Sequence, residues 1–369
     1  MDFSVKGPAT PGSNVEAAGN KTSGPAEPSS IEPQQQADHR EQHAKPVAHG
    51  IPTSATAAQE GKYHAAVARI EIRLIAEKQL QTVGTANGLK LRPNYESIFR
   101  SQPNARGTVV MFHGYTAGPW QYKEMADQFA KAGYNVYIPR LPGHGFMQAN
   151  GMGTGSELIK STNRGAYEQY IDGIYQEASG LGAPVYVVGL SGGADIALRT
   201  AEKYPDVKGC AAMSPYLGPD GAGRLGLTTA YILDKLTFGL VGRILDHIPY
   251  GKNAMNKPDD PIPHTEGSLG QAMAMLSVGR NVRQVNVPVQ YFTTQGDILA
   301  GSKPVGALYR HSGGALRDGW LTFPKAQQVP HAMLSKLEDK APGVVDQLNH
   351  MVFQFIDQGK EFWTPPGSH

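Results

Sequence analysis

The sequence predicts an α/β protein built on a mostly parallel central sheet with helices on both faces. Three observations predict it. Short Val/Ile/Tyr-rich runs alternate with helical stretches between Thr108 and Met213. The run TVVMFH at 108–113 is almost continuously apolar, as expected of a strand covered on both sides. Ser191 sits at a glycine-rich corner between a strand-like and a helix-like run. Such alternation marks βαβ units, and right-handed crossovers distribute their helices over both faces.

The elements follow in order. Residues 1–62 are rich in Pro, Ser, Ala, Gln and Gly, with Phe3 their only aromatic. They bury too little apolar area to offset an ordering entropy of about 1–2 kcal/mol per residue, so a disordered tail is expected there. From Tyr63, Ala66, Ile70 and Leu74 fall at helical spacing, although Ile70, Ile72 and Leu74 also alternate as a strand would. Strands are expected at 96–100 and 108–113, a helix at 120–132, a strand at 134–139 and a helix at 163–180. A strand at 184–190, a helix at 194–204 and a strand at 207–213 complete the regular part.

The alternation then breaks over about 216–286, an insert expected to cap one end of the sheet after its sixth core strand. Within it, 230–248 carries Ile232, Leu236, Leu240, Ile244 and Ile248 at period four, a helical stripe expected to pack on the sheet. The segment KPDDPIPHTEGS reads as an irregular loop. Strands resume at 287–294 and 320–323, a last helix runs near 344–358, and 361–369 form a short tail, leaving 63–360 as the folded domain.

Composition excludes several classes. The net charge is +2 and no Lys/Arg run occurs, so nucleic acid is not an expected partner. Cys210 is the sole cysteine, which rules out an internal disulfide and a thiolate metal site; its apolar surroundings suggest a buried, inert thiol. No stretch approaches the roughly 18 apolar residues of a membrane span. The N-terminus lacks a secretory pattern, so a cytoplasmic location is expected. Nucleotide-loop and zinc-helix motifs are absent. Gly151, Gly153 and Gly155 fall short of a dinucleotide fingerprint because Ser156 replaces the last glycine, and Asp259-Asp260 reads as solvated loop. No cofactor or metal is expected.

The chemistry concentrates in four segments. Gly189-Leu190-Ser191-Gly192-Gly193 matches G-x-S-x-G, with an apolar strand entering and a helix-forming run leaving. A hydroxyl on so sharp a corner projects from the C-terminal sheet edge, where open α/β sheets place their sites. Serine needs an adjacent base to act as a nucleophile. His331, on a loop between the last strand and the last helix, is the best placed of twelve histidines. His113 and His144 read as braces of tight turns rather than as bases. Asp297, just past the strand VPVQYFTT, is preferred as the carboxylate that orients the base; Asp318 is its rival. Two backbone donors for an oxyanion are expected, Gly192 N–H after the serine and Tyr115 N–H in the turn His113-Gly114-Tyr115-Thr116. Trp120, Tyr231 and Phe238 are candidates for lining an acyl pocket.

The segments FHGYTAGPWQYKEMADQFAKAGYNVYIPRLPGHG, VVGLSGGADIAL, TTQGD and VPHAML together resemble the α/β-hydrolase superfamily, nearest its bacterial carboxylesterase and monoacylglycerol-lipase-like branch, often grouped with serine aminopeptidase-like hydrolases. That resemblance implies a Ser191–Asp297–His331 triad, donors at Tyr115 and Gly192, and an acyl-enzyme intermediate. One departure stands out: the family commonly spaces the acid as G-x-x-D, whereas Gly296 directly precedes Asp297 here. The expected activity is hydrolysis of a small carboxylic ester, with lipid-like or medium-chain esters preferred. Thioesterase, amidase and acyltransferase chemistry use the same groups, and a non-catalytic binding protein is the alternative class.

Overall fold

The computed structural model describes residues 56–218, 221–249, 267–297, 299–312, 319–334, 336 and 343–359. Helix α1 (Ala57–Thr82) opens it, capped by a reciprocal pair: the Thr56 hydroxyl accepts from the Gln59 N–H and the Gln59 side chain accepts from the Thr56 N–H. The helix therefore begins inside the segment 1–62 expected to be a tail. Its first turns are polar, yet Ala, Gln, Glu and Lys extend a helix well once its later turns are docked. Tyr63, Ala66, Val67 and Ile70 are buried, which settles 66–74 as helix rather than strand.

The chain continues through β1 (Lys90–Leu91), β2 (Ile98–Arg100), β3 (Thr108–Phe112), a short 3-10 turn, α2 (Lys123–Lys131) and β4 (Asn135–Ile138). Then come β5 (Phe146–Met147), β6 (Gly153–Thr154), α3 (Ala166–Gly180), β7 (Val185–Leu190), α4 (Gly192–Lys203) and β8 (Gly209–Met213). After the insertion helices α5 (Gly221–Leu236), α6 (Leu240–Leu245) and α7 (Leu269–Asn281) follow β9 (Val289–Thr294), α8 (Ser302–His311), β10 (Gly319–Phe323) and α9 (Val344–Gln358).

Seven strands form the main sheet in the order β10-β9-β8-β7-β3-β4-β2, parallel except for β2 at the edge. Its two faces are both buried. Val110, Phe112 and Val187 join α1, α3, α4 and α7 in one core, while Val109, Met111 and Val188 join α2 and α9 in the other. The period-two alternation of strand side chains thus explains the unbroken apolar run in β3. Strand β1 pairs with β5 in a separate three-stranded sheet. The insertion consequently follows the fifth strand of the main sheet in chain order, one earlier than the sixth-strand position expected.

Two features of the insertion differ from expectation. The segment 230–248 is two helices, not one, because Phe238 (φ 51°) and Gly239 (φ 91°) take left-handed conformations and the Gly239 N–H returns to the Asp234 carbonyl at 2.8 Å. The apolar stripe also faces outward: Ile232, Leu236, Leu240, Ile244 and Ile248 are all exposed, Leu236 by 69%. What anchors these helices is polar. Asp234 is buried, pairs with Arg164 and accepts the Gly242 N–H, while Asp246 accepts the Ser161 N–H at 2.9 Å and hydroxyl at 3.0 Å. The loop expected at KPDDPIPHTEGS lies almost wholly outside the described residues. No helix among the described residues is long and apolar enough to cross a membrane.

Candidate active site

Ser191 leaves β7 and enters α4 with φ 56° and ψ −121°. For a residue with a Cβ this is a strained region, costing about 1–3 kcal/mol, and it persists only where the surroundings force it. They do so here through two close approaches. A Cβ on Gly189 would lie 2.2 Å from the Gly193 carbonyl oxygen, and one on Gly193 would lie 2.0 Å from the Phe112 carbonyl oxygen. The Ser191 N–H is tied to the Met213 carbonyl at 2.8 Å. The corner therefore carries the hydroxyl to the C-terminal end of β7.

His331 reaches the same point from the loop after β10. Its Nε2 lies 2.8 Å from Ser191 Oγ, and its Nδ1 lies 2.7 Å from Asp297 Oδ2. Asp297 follows β9, and Gly296, with φ 85°, turns the chain immediately before it. That left-handed glycine lets the shortened Gly-Asp spacing still deliver the carboxylate to the imidazole. Oδ1 of Asp297 accepts the N–H groups of Leu299 at 2.9 Å and Ala300 at 3.0 Å. Burial acts to raise the Asp297 pKa, but the bond from His331, that ring's charge and the two amides outweigh it and hold the carboxyl below its ordinary value. An ionised carboxylate only accepts, so Nδ1 carries the imidazole proton and Nε2 is left to accept from the Ser191 hydroxyl. The rival acid, Asp318, lies outside the described residues.

The turn after β3 is braced from three sides. His113 is fully buried; its Nδ1 donates to the Gly114 carbonyl at 2.9 Å and its Nε2 accepts the Leu141 N–H at 2.9 Å. Burial, aided by the Arg140 charge and only partly opposed by the Gly114 carbonyl, pushes its pKa down to about 3, so the ring is neutral. The Gly114 N–H donates to Gln121 Oε1 at 2.8 Å, and Thr116 adopts φ 66°. The Tyr115 ring meets His144 edge-on at 5.6 Å, and His144 meets His113 at 5.2 Å. Gly192, the first residue of α4, has no carbonyl one turn back within the helix, so its N–H faces outward from the helix start.

The candidate pocket residues are scattered. Trp120 is half-buried and packs edge-on against Tyr95 at 6.4 Å. Tyr231 is buried elsewhere: its hydroxyl donates to Asn281 at 3.2 Å, and its ring lines a cavity of about 510 Å³ with Leu217, Arg280 and Leu308 whose walls include neither Ser191 nor His331. Phe238 is 97% exposed at the break between α5 and α6. Two contributors were missed in the sequence. Gln121 holds the turn through Gly114, and Met275 of α7 packs on Gly192, where a Cβ would approach its sulfur to 2.9 Å. Only the short range of Gln121 from the turn offered a signal; Met275 is far away in sequence.

A seven-stranded, mostly parallel sheet with serine, histidine and aspartate in one hydrogen-bonded row at its C-terminal edge defines an α/β-hydrolase. The family model described as serine aminopeptidase, S33, matches residues 103–318, and the chain belongs to that family. It is 33% identical over 101 residues to a thermostable monoacylglycerol lipase of a Bacillus species, covering 27% of this chain. That match spans 37% of the relative's length. It is 25% identical over 202 residues to a monoacylglycerol lipase of Mycolicibacterium smegmatis, covering 51% of this chain and 67% of the relative. In fold it is similar to the crystal structure of a Paleococcus ferrophilus monoacylglycerol lipase, with TM-score 0.51, 21% identity, and coverage of 72% of this chain and 98% of that one.

Proposed function

We propose that this protein is a serine hydrolase that cleaves carboxylic esters through an acyl-Ser191 intermediate, with monoacylglycerol-like or medium-chain acyl esters as its substrate class. The observation that carries the proposal is the row Ser191 Oγ, His331 Nε2, His331 Nδ1 and Asp297 Oδ2, linked at 2.8 and 2.7 Å. In the first half-reaction Ser191 Oγ attacks the ester carbonyl carbon while His331 Nε2 takes the hydroxyl proton. The oxyanion is received by the N–H groups of Gly192 and Tyr115. Collapse breaks the bond to the leaving alcohol, which departs with the proton from Nε2. A water molecule then gives a proton to Nε2 and attacks the acyl carbon, and the carboxylic acid leaves as the proton returns to Ser191. Asp297 keeps Nδ1 protonated and offsets the imidazolium charge throughout.

The lipid-like preference rests on the similarity to two proteins named as monoacylglycerol lipases. The test is a fluorophosphonate probe followed by a panel of glycerol and p-nitrophenyl esters of graded chain length, with thioester and amide counterparts. Labelling of the wild type, its loss in Ser191→Ala, and turnover highest for esters are expected. A folded wild type that neither labels nor turns over any acyl substrate sinks the proposal and favours a ligand-binding role. Turnover confined to thioesters or amides retains the nucleophile and replaces the substrate class.

A further inference from the structure

Helix α1 lies ahead of the residues matched by the family model, which begin at 103. Yet its last turns carry a charged group into the interior. Glu77 is only 3% exposed, and its carboxylate accepts from the Ser97 N–H at 2.6 Å, the Ser97 hydroxyl at 3.0 Å and Arg140 Nε at 3.2 Å. Arg140 is held a second time, its own N–H donating to Ser97 Oγ at 2.8 Å. The far end of its guanidinium donates to the His144 carbonyl at 2.9 Å. His144 in turn packs edge-on against both Tyr115 and His113, the residues that shape the turn after β3.

We propose that Glu77 is a positioning residue for hydrolysis: from α1 it fixes Arg140, and through Arg140 the loop of His144 that sets the Tyr115 N–H. This rests on the proposed oxyanion role of Tyr115. A carboxylate is required because one group must satisfy an amide, a hydroxyl and a guanidinium at once, and because the partly buried Arg140 charge faces it. Held at Nε by Glu77 and at its backbone N–H by Ser97, Arg140 has little freedom to release the His144 carbonyl. Arg73 also ties α1 to the body, by a 2.8 Å ion pair with Glu177, but that pair leads to α3 and Tyr137 rather than to the turn.

These two ion pairs of α1 therefore supply a matched experiment on the full chain. Glu77→Gln keeps one accepting oxygen and removes the charge; kcat on the best ester is expected to fall about tenfold with KM unchanged, short of the roughly 10²-fold cost of a full 1 Å misplacement. Arg73→Met loosens α1 at the other pair and is expected to lower Tm comparably while leaving kcat as in wild type. Arg140→Lys, which retains the charge facing Glu77 but cannot also span to the His144 carbonyl, is expected to reproduce the kcat loss and serves if Glu77→Gln does not fold. Equal kcat in Glu77→Gln or Arg140→Lys and wild type overturns the proposal. So does an equal kcat loss in Arg73→Met, which would make α1 a general support. An inactive, unlabelled wild type is a different result: it removes the hydrolase reading and the positioning role with it.

Discussion

Ser191, His331 and Asp297 each leave a different strand, and the electrostatics of their meeting point make definite demands on substitution. Asp297→Asn keeps the shape but offers an amide to Nδ1, favouring the tautomer that cannot accept the serine proton; kcat is expected to fall by roughly 10³–10⁴ with little change in KM. Two buried groups outside this row control stability. The folded pKa of His113, about 3, lies below its ordinary 6.5, so the unfolded chain binds more protons between those values and stability falls as pH drops through that window. Depression of Asp297 acts in the same direction at lower pH, its contribution being present above the ordinary carboxylate range and lost as the folded group protonates. Urea unfolding of His113→Gln is expected to show a flatter dependence between pH 6.5 and pH 4 than wild type. Asp195 behaves oppositely. Burial raises its pKa well above 3.8, opposed only by the Tyr216 amide, so keeping it neutral costs stability as pH rises. Asp195→Asn is expected to gain stability over wild type, by more at pH 8 than at pH 4.5, in the same assay. At this scale the sequence was informative where local context singles a residue out. Ser191 between glycines, Asp297 after a strand and His331 before the last helix were legible as the side chains that meet. Met275 was not, because nothing within its own segment points to Gly192.

Helices and strands were legible in proportion to how one-sided they are. Strand β3 and helix α9 each bury a recognisable pattern and fall within a residue or two of expectation. Helix α7 was invisible for the opposite reason: Met273 through Gly279 are buried without interruption, so no polar face marks a period. Its start was nonetheless written locally, in the capping box of Ser268 and Gln271. The α5–α6 stripe has perfect spacing and the wrong inference attached, since periodicity reports that a face is apolar and not what it meets. The break between those helices rests on Gly239 at φ 91°. Gly239→Ala is expected to cost about 1 kcal/mol in urea unfolding, whereas Gly239→Asn costs less because asparagine tolerates that conformation. Gly193→Ala belongs to another class, with its Cβ driven to 2.0 Å from a backbone oxygen; it is expected to lose probe labelling and to lower Tm steeply.

Over the whole molecule, a sheet with both faces covered gives two cores that share every central strand. The mostly parallel direction of the strands followed from alternation, but the placement of α1 did not. Its docking depends on Glu77 and Arg73 meeting partners up to 104 residues away, and no local pattern encodes such pairings. The same enclosure fixes the state of Cys210, wholly buried in β8 between β7 and β9. Reaching that sulfur requires opening the sheet itself, so Ellman's reagent is expected to titrate no thiol in the native protein and one in urea, at a rate set by global unfolding. The protein thus comes with a silent background for site-directed labelling. A cysteine introduced at the solvent-facing position 238, as Phe238→Cys, would carry a single fluorophore or spin label with no native thiol to remove first, and would report directly whether the segment joining α5 to α6 changes its surroundings during turnover.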